Sequence, residues 1–148
     1  MKEDKASDLH LRIPSRLEEV AGVGQALREY ALARGASSDD ADALELAVCE
    51  AANNAIQHAY GGHADNVVEI AARADASMIT VTVRDRGSAM GRPLPVKGTY
   101  AGPIQSSRPT QRGLGLRIIA ELMDEVRYES NAGVNALELR KSLRLPGS

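Results

Sequence analysis

Hydrophobic and polar positions alternate with a period of two in three early stretches of the chain. One stretch is Leu9–Pro14, and the other two, Val67–Asp75 and Ser77–Asp85, are separated by a single residue. Alternation of this kind is typical of strands that bury one face. The pattern therefore predicts a short first strand and, further along the chain, an antiparallel hairpin.

Between these strands the apolar positions recur every three or four residues, which is typical of amphipathic helices. The first helix is predicted to have Ser15 as its N-cap, to run to about Arg34 and to end at Gly35. A second helix is predicted to begin at Ser37–Asp40, which supplies caps and N-terminal acids, and to end at about Ala59. The predicted apolar face of the first helix consists of Leu17, Val20, Ala21, Gly24, Leu27 and Ala31.

The periodicity disappears in residues 86–112, which contain four of the six prolines. Long irregular segments in compact domains are usually functional, so we expect a loop that acts as a lid. Regularity returns with a helix predicted from about Leu114 to Met123. Two further strands, near residues 126–130 and 135–142, are predicted on either side of a turn at Asn131-Ala132-Gly133.

The second helix carries an unusual polar stripe. Glu50, Asn54 and His58 are spaced by four residues and therefore share one face, and Asn53 and Gln57 flank them. A solvated face is one interpretation, but such faces usually favour Lys, Glu and Arg, whereas asparagine costs several tenths of a kcal/mol relative to alanine. The two adjacent asparagines favour a site. The opposite, apolar surface consists of Leu44, Val48, Ala51, Ala52, Ala55 and Ala59.

Length and composition limit the class of protein. The 148 residues predict a single domain, residues 1–148, that is large enough to fold without disulfides. The net charge of −2, with four Tyr and neither Phe nor Trp, argues against direct nucleic-acid binding. The only cysteine, Cys49, is interpreted as a small core residue rather than a nucleophile. The charged start MKEDKASDLH and the lack of a long apolar run predict a cytoplasmic protein with no membrane span.

Two further features indicate a nucleotide site. Asp85 continues the parity of the apolar positions in its strand, and a carboxylate on that side needs a partner. The turn RGLGL, Arg112–Leu116, opens a helix, where free backbone N–H groups bind phosphates well. The turn fits neither a dinucleotide-binding fold, whose third glycine position is Ile118 here, nor a Walker loop, whose lysine is absent.

The order of these motifs resembles a known family. Glu50-x-x-x-Asn54 on a helix, Asp85-x-Gly87 at a strand end, a long loop and Gly113-x-Gly115 at a helix start are arranged as in the GHKL superfamily, the Bergerat ATP-binding fold of histidine kinases and gyrase. Within it, EAANNAIQHAY, GLGLRII and MDEVRYES resemble the small bacterial serine kinases that act as anti-sigma factors in partner switching. The resemblance extends over residues 11–141.

The resemblance implies a role for each motif residue. Asn54 would bind a Mg²⁺ ion that bridges the phosphates of ATP, and Glu50 would act as general base toward the attacking hydroxyl. Asp85 would accept a hydrogen bond from the adenine amino group, which would supply its expected partner. The other implied cofactor-binding residues are Gly87 beside the base, Gly113, Leu114 and Gly115 in the phosphate turn, and the helpers His58 and Arg112.

The resemblance also implies a fold and a function. The expected fold is a two-layer α/β sandwich with a mixed, mostly antiparallel sheet of about five strands and three main helices on one face. The expected function is phosphorylation of a STAS-domain anti-anti-sigma protein on serine, with ATP and Mg²⁺, and binding of an RNA polymerase sigma factor. The resemblance to this family also implies a homodimer. A non-catalytic nucleotide-binding switch of the same fold is the alternative. A histidine-kinase catalytic domain is disfavoured, because none of the three histidines lies on a separate dimerisation hairpin.

The chain departs from the family pattern at two positions. The second glycine of the D-x-G-x-G motif is Ala89, which would cost about 1 kcal/mol if this position needed a left-handed backbone. The family often has Thr two residues after the last hairpin glycine, and this chain has Asn135 after Gly133. An asparagine can still form hydrogen bonds there.

Overall fold

The computed structural model describes residues 9–63, 65–91 and 111–143, and in the last segment it describes side chains from residue 115 onward. The helical elements are a 3₁₀ turn at Leu17–Glu19, α1 at Val20–Ala33, α2 at Ser38–Asn54, a π-helical turn at Ala55–Ala59 that continues α2, and α3 at Gln111–Leu122. The strands are β1 at Leu9–Pro14, β2 at Val67–Ala74, β3 at Met78–Asp85, β4 at Glu125–Asn131 and β5 at Val134–Ser142.

The five strands form one sheet in the order β1-β2-β3-β5-β4. Each of the four strand pairs is antiparallel, so the described sheet is wholly antiparallel, whereas the sequence predicted a mixed, mostly antiparallel one. The predicted hairpin at β2–β3 is confirmed. The pairing of β3 with β5 places Asp85 opposite Asn135, although the two residues are far apart along the chain.

The hydrophobic core lies between one face of the sheet and the helices, which confirms the two-layer α/β architecture. Ile79, Val81 and Val83 of β3 are buried on this face together with Leu137 and Leu139 of β5. Apolar residues of the helices complete one continuous cluster, as expected for a domain of this size. From the helices it includes Val23, Leu27, Leu44, Val48, Ala52, Ile56, Leu116 and Ile119.

The start of the first helix differs from the prediction. Ser15 is not its N-cap, because the Ser15 hydroxyl donates to the carbonyl of His63 and accepts a hydrogen bond from the Asn66 N–H at 3.2 Å. The first turn is 3₁₀, and α1 proper begins at Val20. The prediction that Leu17 and Ala21 belong to the buried face was also wrong, since both are exposed.

The second helix begins as predicted and ends differently. Ser37 caps α2 by accepting a hydrogen bond from the Asp40 N–H at 3.0 Å. The predicted end at Ala59 is confirmed, but the last five residues wind as a π-helix, in which the Tyr60 N–H donates to the Ala55 carbonyl. Single π turns of this kind occur frequently at functional sites.

Cys49 lies where α2 packs against α1, which confirms its interpretation as a small core residue. Its Sγ donates weakly to the Val20 carbonyl at 3.7 Å, and a Cβ on Gly24 would lie 2.5 Å from this sulfur. Burial raises the pKa of the Cys49 thiol, and the nearby Glu45 and Glu50 carboxylates raise it further. A raised thiol pKa lowers the thiolate population that a nucleophile requires.

The β4–β5 turn provides a test of backbone strain. Ala132 has a φ of 54° and the following Gly133 a φ of 82°, as in the two-residue hairpin turn that favours Asn-Gly. Because an L-residue other than Asn or Gly is strained there, we expect Ala132→Asn to raise the free energy of unfolding by about 0.5–1 kcal/mol, measured by urea denaturation. Ala76→Asn, in a hairpin turn without positive φ, is the control. An equal gain in both variants would contradict the strain argument.

Candidate functional site

A narrow cleft lies between the end of α2 and the ends of β3 and β5. Its walls are mostly apolar, and Asp85 is the one acidic residue among the described residues that line it. The cleft has a volume of about 30 Å³, so a flat, largely apolar ring with a hydrogen-bond donor on its edge would match its walls chemically but would need the cleft to widen. The lining residues are Ala51, Asn54, Ala55, Ala59, Val83, Asp85, Ser88, Met90, Tyr128 and Leu137.

Asp85 is held by hydrogen bonds from two elements. Its Oδ1 accepts from the Gly87 N–H at 2.9 Å and from Asn135 Nδ2 at 2.7 Å. The parity argument therefore correctly identified a partly buried carboxylate that needs partners. It did not anticipate that Asn135, on β5, supplies one of them.

Gly87 is required by close packing. A Cβ at this position would lie 2.2 Å from the Ala59 carbonyl oxygen, and the adjacent Ser88 N–H donates to that oxygen at 2.8 Å. Residues 86–90 are also held by two tyrosines, because the Tyr60 hydroxyl accepts from the Arg86 N–H and the Tyr128 hydroxyl accepts from the Met90 N–H, both at 2.7 Å. These contacts fix the segment that borders the narrow cleft.

Ala89 lies in the same segment. Its φ is not positive, since Ala132 is the one non-glycine residue of the described chain with a positive φ. The cost of about 1 kcal/mol considered for a left-handed backbone at Ala89 therefore does not apply.

A second cavity of about 300 Å³ lies beside the first. The polar stripe of α2 forms one wall, and the start of α3 and the 3₁₀ turn form the others. Asn54 lines both cavities and so joins the apolar cleft to the polar one. The lining residues are Leu17, Glu50, Asn53, Asn54, Gln57, His58, Gly115 and Ile118.

Glu50 and Gly115 are in close contact across this second cavity. A Cβ on Gly115 would lie 2.8 Å from Glu50 Oε1 and 3.7 Å from Asn54 Nδ2, so a glycine leaves room for both side chains. Burial raises the pKa of the Glu50 carboxyl above its ordinary value. A raised pKa makes this carboxylate a better proton acceptor than an exposed glutamate.

The side chain of Asn54 has an unused hydrogen-bonding atom. Its Nδ2 is buried and has no hydrogen-bond partner among the described residues. Because the two ends of an amide are assigned rather than observed, either the nitrogen or the oxygen can occupy this position. A buried amide without a partner, next to the space left by Gly115, fits a polar ligand such as a phosphate or a hydrated Mg²⁺.

The chain matches the sequence profile of the histidine kinase-like ATPase domain over residues 13–141. It belongs to the histidine kinase-like ATPase family. Among curated proteins it is 33% identical to the serine-protein kinase RsbW of Bacillus velezensis over 130 residues, which is 85% of this chain and 80% of that protein. It is 30% identical to the serine-protein kinase RsbW of Bacillus subtilis over 135 residues, which is 88% of this chain and 83% of that protein. Within the ATPase family, the chain is thus a member of the RsbW group.

A solved structure agrees with the fold of this histidine kinase-like ATPase. The structure of the RsbU and RsbW domains of a Mycobacterium tuberculosis protein superposes with a TM-score of 0.66 at 24% sequence identity. The match covers 94% of this chain and 33% of that longer chain, so it concerns the architecture of one domain. Among the described residues of the ATPase, no helix has the length and hydropathy of a membrane span.

Part of the predicted site lies outside the described residues. The predicted lid falls mostly there, in residues 92–110, and Arg112, Gly113 and Leu114 are described by their backbone alone. The backbone of these three residues belongs to α3, which begins at Gln111 rather than at about Leu114. Their proposed contacts with phosphates remain predictions.

The sequence did not predict that Leu17 and Asn135 belong to the site. Leu17, assigned to the apolar face of the predicted first helix, is 46% exposed and lines the second cavity together with Ile118. Asn135 was noted as a departure from the family pattern, whereas in the structure it is 2% exposed and bonded to Asp85. The parity of β5 carried a signal for it, because Asn135 shares its side of the strand with Leu137 and Leu139.

The raised pKa of Glu50 predicts a pH-dependent stability. Because burial raises the pKa of this carboxyl, the folded protein keeps the proton to a higher pH than the unfolded protein does. The free energy of unfolding therefore falls as pH rises from the ordinary pKa to the raised one. Relative to Glu50→Gln, the wild type should therefore lose free energy of unfolding over the pH range that begins at the ordinary glutamate pKa of about 4.3. Urea denaturation of both proteins across this range measures the difference. A difference that is independent of pH would contradict a raised pKa.

Proposed function

We propose that this chain is an ATP-dependent protein serine kinase that phosphorylates a STAS-domain anti-anti-sigma protein. In its other state it binds an RNA polymerase sigma factor and keeps it from the polymerase. The names of the relatives, serine-protein kinase RsbW, support this proposal at 30–33% identity. The proposal also includes a cytoplasmic homodimer with Mg²⁺ as the metal.

The observation that carries the proposal is the shared position of Asn54 between two chemically different cavities. On one side lie the apolar walls and the Asp85 carboxylate, which suit adenine. On the other side lie Glu50 and Gly115, which suit phosphates and an acceptor hydroxyl. A nucleotide that spans both cavities would place its phosphates beside Asn54.

Each side chain has a chemical task in this proposal. Asp85 accepts a hydrogen bond from the adenine amino group, and the Asn54 amide oxygen is a hard ligand suited to Mg²⁺. Bound Mg²⁺ would neutralise phosphate charge and align the terminal phosphoryl group. Because α3 begins at Gln111, the backbone N–H of Gly113 lies in its first turn and would face the phosphates, while Leu114 and Gly115 would lie beside them. His58 and Arg112 would add positive charge or hydrogen bonds toward the phosphates.

Glu50 is proposed as the general base. The serine hydroxyl of the partner gives its proton to the Glu50 carboxylate while its oxygen bonds to the terminal phosphorus, and ADP leaves. Glu50 lines the cavity and is partly buried, and burial raises its pKa, so the carboxylate is positioned to accept a proton. The exposed Leu17 and Ile118, which lines the same cavity, would provide apolar contact for residues of the acceptor protein.

The backbone of residues 86–90 weakens the alternative proposal of a non-catalytic switch. Ala89 replaces a glycine of the family's motif, which would favour such a switch if it impaired nucleotide binding, but its backbone is not left-handed and carries no strain of that kind. Glu50 and Asn54 both line the proposed phosphate cavity, where a protein that only holds nucleotide would not need a general base. The kinase is therefore the preferred proposal.

The proposal is tested by label transfer. The purified chain is incubated with Mg²⁺ and ATP labelled on the terminal phosphate, together with a STAS-domain protein encoded nearby. We expect label on a serine of the STAS protein, and no label when the ATP is labelled on the α-phosphate instead. Tight binding of ATP and of a sigma factor, with no label on any co-encoded STAS protein, would favour the non-catalytic switch.

A further inference from the structure

We infer that Asn135 is a positioning residue that orients the Asp85 carboxylate. It would thereby set the preference of the narrow cleft around Asp85, which we call the base cleft, for purines with a 6-amino group. The inference deepens the proposed function and rests on it, because it concerns base recognition by Asp85. Asn135 is 2% exposed and lies directly opposite Asp85 in the pairing of β3 with β5. A buried amide at a strand end is costly unless its hydrogen bonds are made.

The hydrogen bonds of Asn135 fix the direction of its amide. Nδ2 lies 2.7 Å from Asp85 Oδ1, 3.0 Å from the Gly87 carbonyl oxygen and 3.4 Å from the Ser88 carbonyl oxygen. All three are acceptors, so the nitrogen must face them. On the other side, the Ser130 hydroxyl donates to Asn135 Oδ1 at 2.7 Å. A flipped amide would bring oxygen against oxygen at Asp85, Gly87 and Ser88.

Asp85 is oriented by this arrangement. Its Oδ1 accepts from Asn135 Nδ2 and from the Gly87 N–H, and two donors at one oxygen restrict rotation of the carboxylate. The direction of the whole carboxylate group toward the cleft is thereby fixed. A purine with a 6-amino group presents a donor to it, whereas a 6-oxo purine presents an acceptor.

Discrimination between these bases depends on how firmly the carboxylate is held. A fixed acceptor rejects a ligand that places a second acceptor against it, because neither group can then be paired. A carboxylate that can rotate away loses part of this rejection. Removing the Nδ2 donor of Asn135 should therefore reduce selectivity between the bases, in addition to any loss of affinity.

This expectation separates positioning from a purely structural role. Asn135 also binds the carbonyls of Gly87 and Ser88, so its loss will destabilise this segment. A structural defect alone would weaken 6-amino and 6-oxo nucleotides by the same factor. The ratio of the two affinities responds only when recognition of the base edge changes.

The test is calorimetric titration of the full chain with ADP and with inosine diphosphate, in Mg²⁺ and without a protein partner. The wild type should prefer ADP, and Asn135→Leu, which keeps the volume but has no donor, should lower that preference at least about tenfold. Asn135→Thr retains one donor, so its preference for ADP should lie between those of the wild type and Asn135→Leu. Ser130→Ala removes the hydroxyl that orients the amide and should lower the preference by a smaller factor. Thermal unfolding of each variant reports whether it is folded.

The possible outcomes distinguish this inference from the proposed function. An unchanged ratio in folded Asn135→Leu overturns the inference while ATP binding stands. Where Asn135→Leu does not fold, unchanged ratios in both Asn135→Thr and Ser130→Ala overturn it equally. A wild type that binds neither nucleotide overturns the proposed function and the inference together.

Discussion

Glu50→Gln is expected to lower the rate of phosphoryl transfer to the STAS protein by about 10²–10⁴-fold, the usual contribution of a general base. Glutamine has nearly the same shape as glutamate but accepts no proton at neutral pH. Because Glu50 would face the acceptor hydroxyl rather than the nucleotide, the affinity for Mg-ATP should remain close to that of the wild type. Single-turnover transfer rates, and calorimetric titration with Mg-ATP in the absence of the STAS protein, measure the two quantities separately.

Glu45→Gln is a matched control for this variant. Glu45 lies on the same helix and is partly exposed, but it lies 3.9 Å from Arg28 and does not line the cavity. The Glu45→Gln variant should transfer phosphate at the wild-type rate. Equal rates in the wild type and in Glu50→Gln would leave the kinase proposal intact and would remove Glu50 as its base.

Asp85→Ala is expected to weaken binding of ATP and ADP at least tenfold, or about 1.5–3 kcal/mol. The variant removes the carboxylate that is proposed to accept a hydrogen bond from the adenine amino group, and it also removes the acceptor for Asn135 and for the Gly87 N–H. Calorimetry with Mg-ADP measures the affinity, and thermal unfolding shows whether the variant is folded.

Asp65→Ala provides the comparison for this loss. Asp65 is an exposed carboxylate outside the base cleft, so its removal changes the net charge equally without touching the proposed adenine contact. It should bind ADP as the wild type does. A folded Asp85→Ala protein with unchanged affinity would exclude Asp85 from the adenine site.

Local patterns were sufficient for most elements of the fold. The period of two predicted the bounds of β1 and the β2–β3 hairpin, because side chains of a strand alternate between core and solvent. The stretch Ser37–Asp40 was predicted to supply caps and N-terminal acids, and the Ser37 hydroxyl accepts a hydrogen bond from the Asp40 N–H. The polar stripe predicted that Glu50, Asn54 and His58 line one cavity, which the structure confirms.

Features that depend on distant partners were not predictable in the same way. The Ser15 side chain bonds to His63, which lies 48 residues further along the chain, so a local capping rule assigned it wrongly. The π-helical turn at Ala55–Ala59 has no local signal, and its last carbonyl accepts a hydrogen bond from the Ser88 N–H in the segment that follows β3. The role of Asn135 depends likewise on the pairing of β5 with β3, which brings it to Asp85.

The central claim is that the two cavities joined by Asn54 bind ATP so that its terminal phosphate reaches a serine beside Glu50. Intact mass spectrometry of the co-encoded STAS protein, after incubation with this chain, Mg²⁺ and ATP, tests it most directly. The account predicts one added phosphate, located on a serine, with the wild type and little or none with Glu50→Gln. A STAS protein whose mass stays unchanged with a wild type that binds ATP would contradict the account.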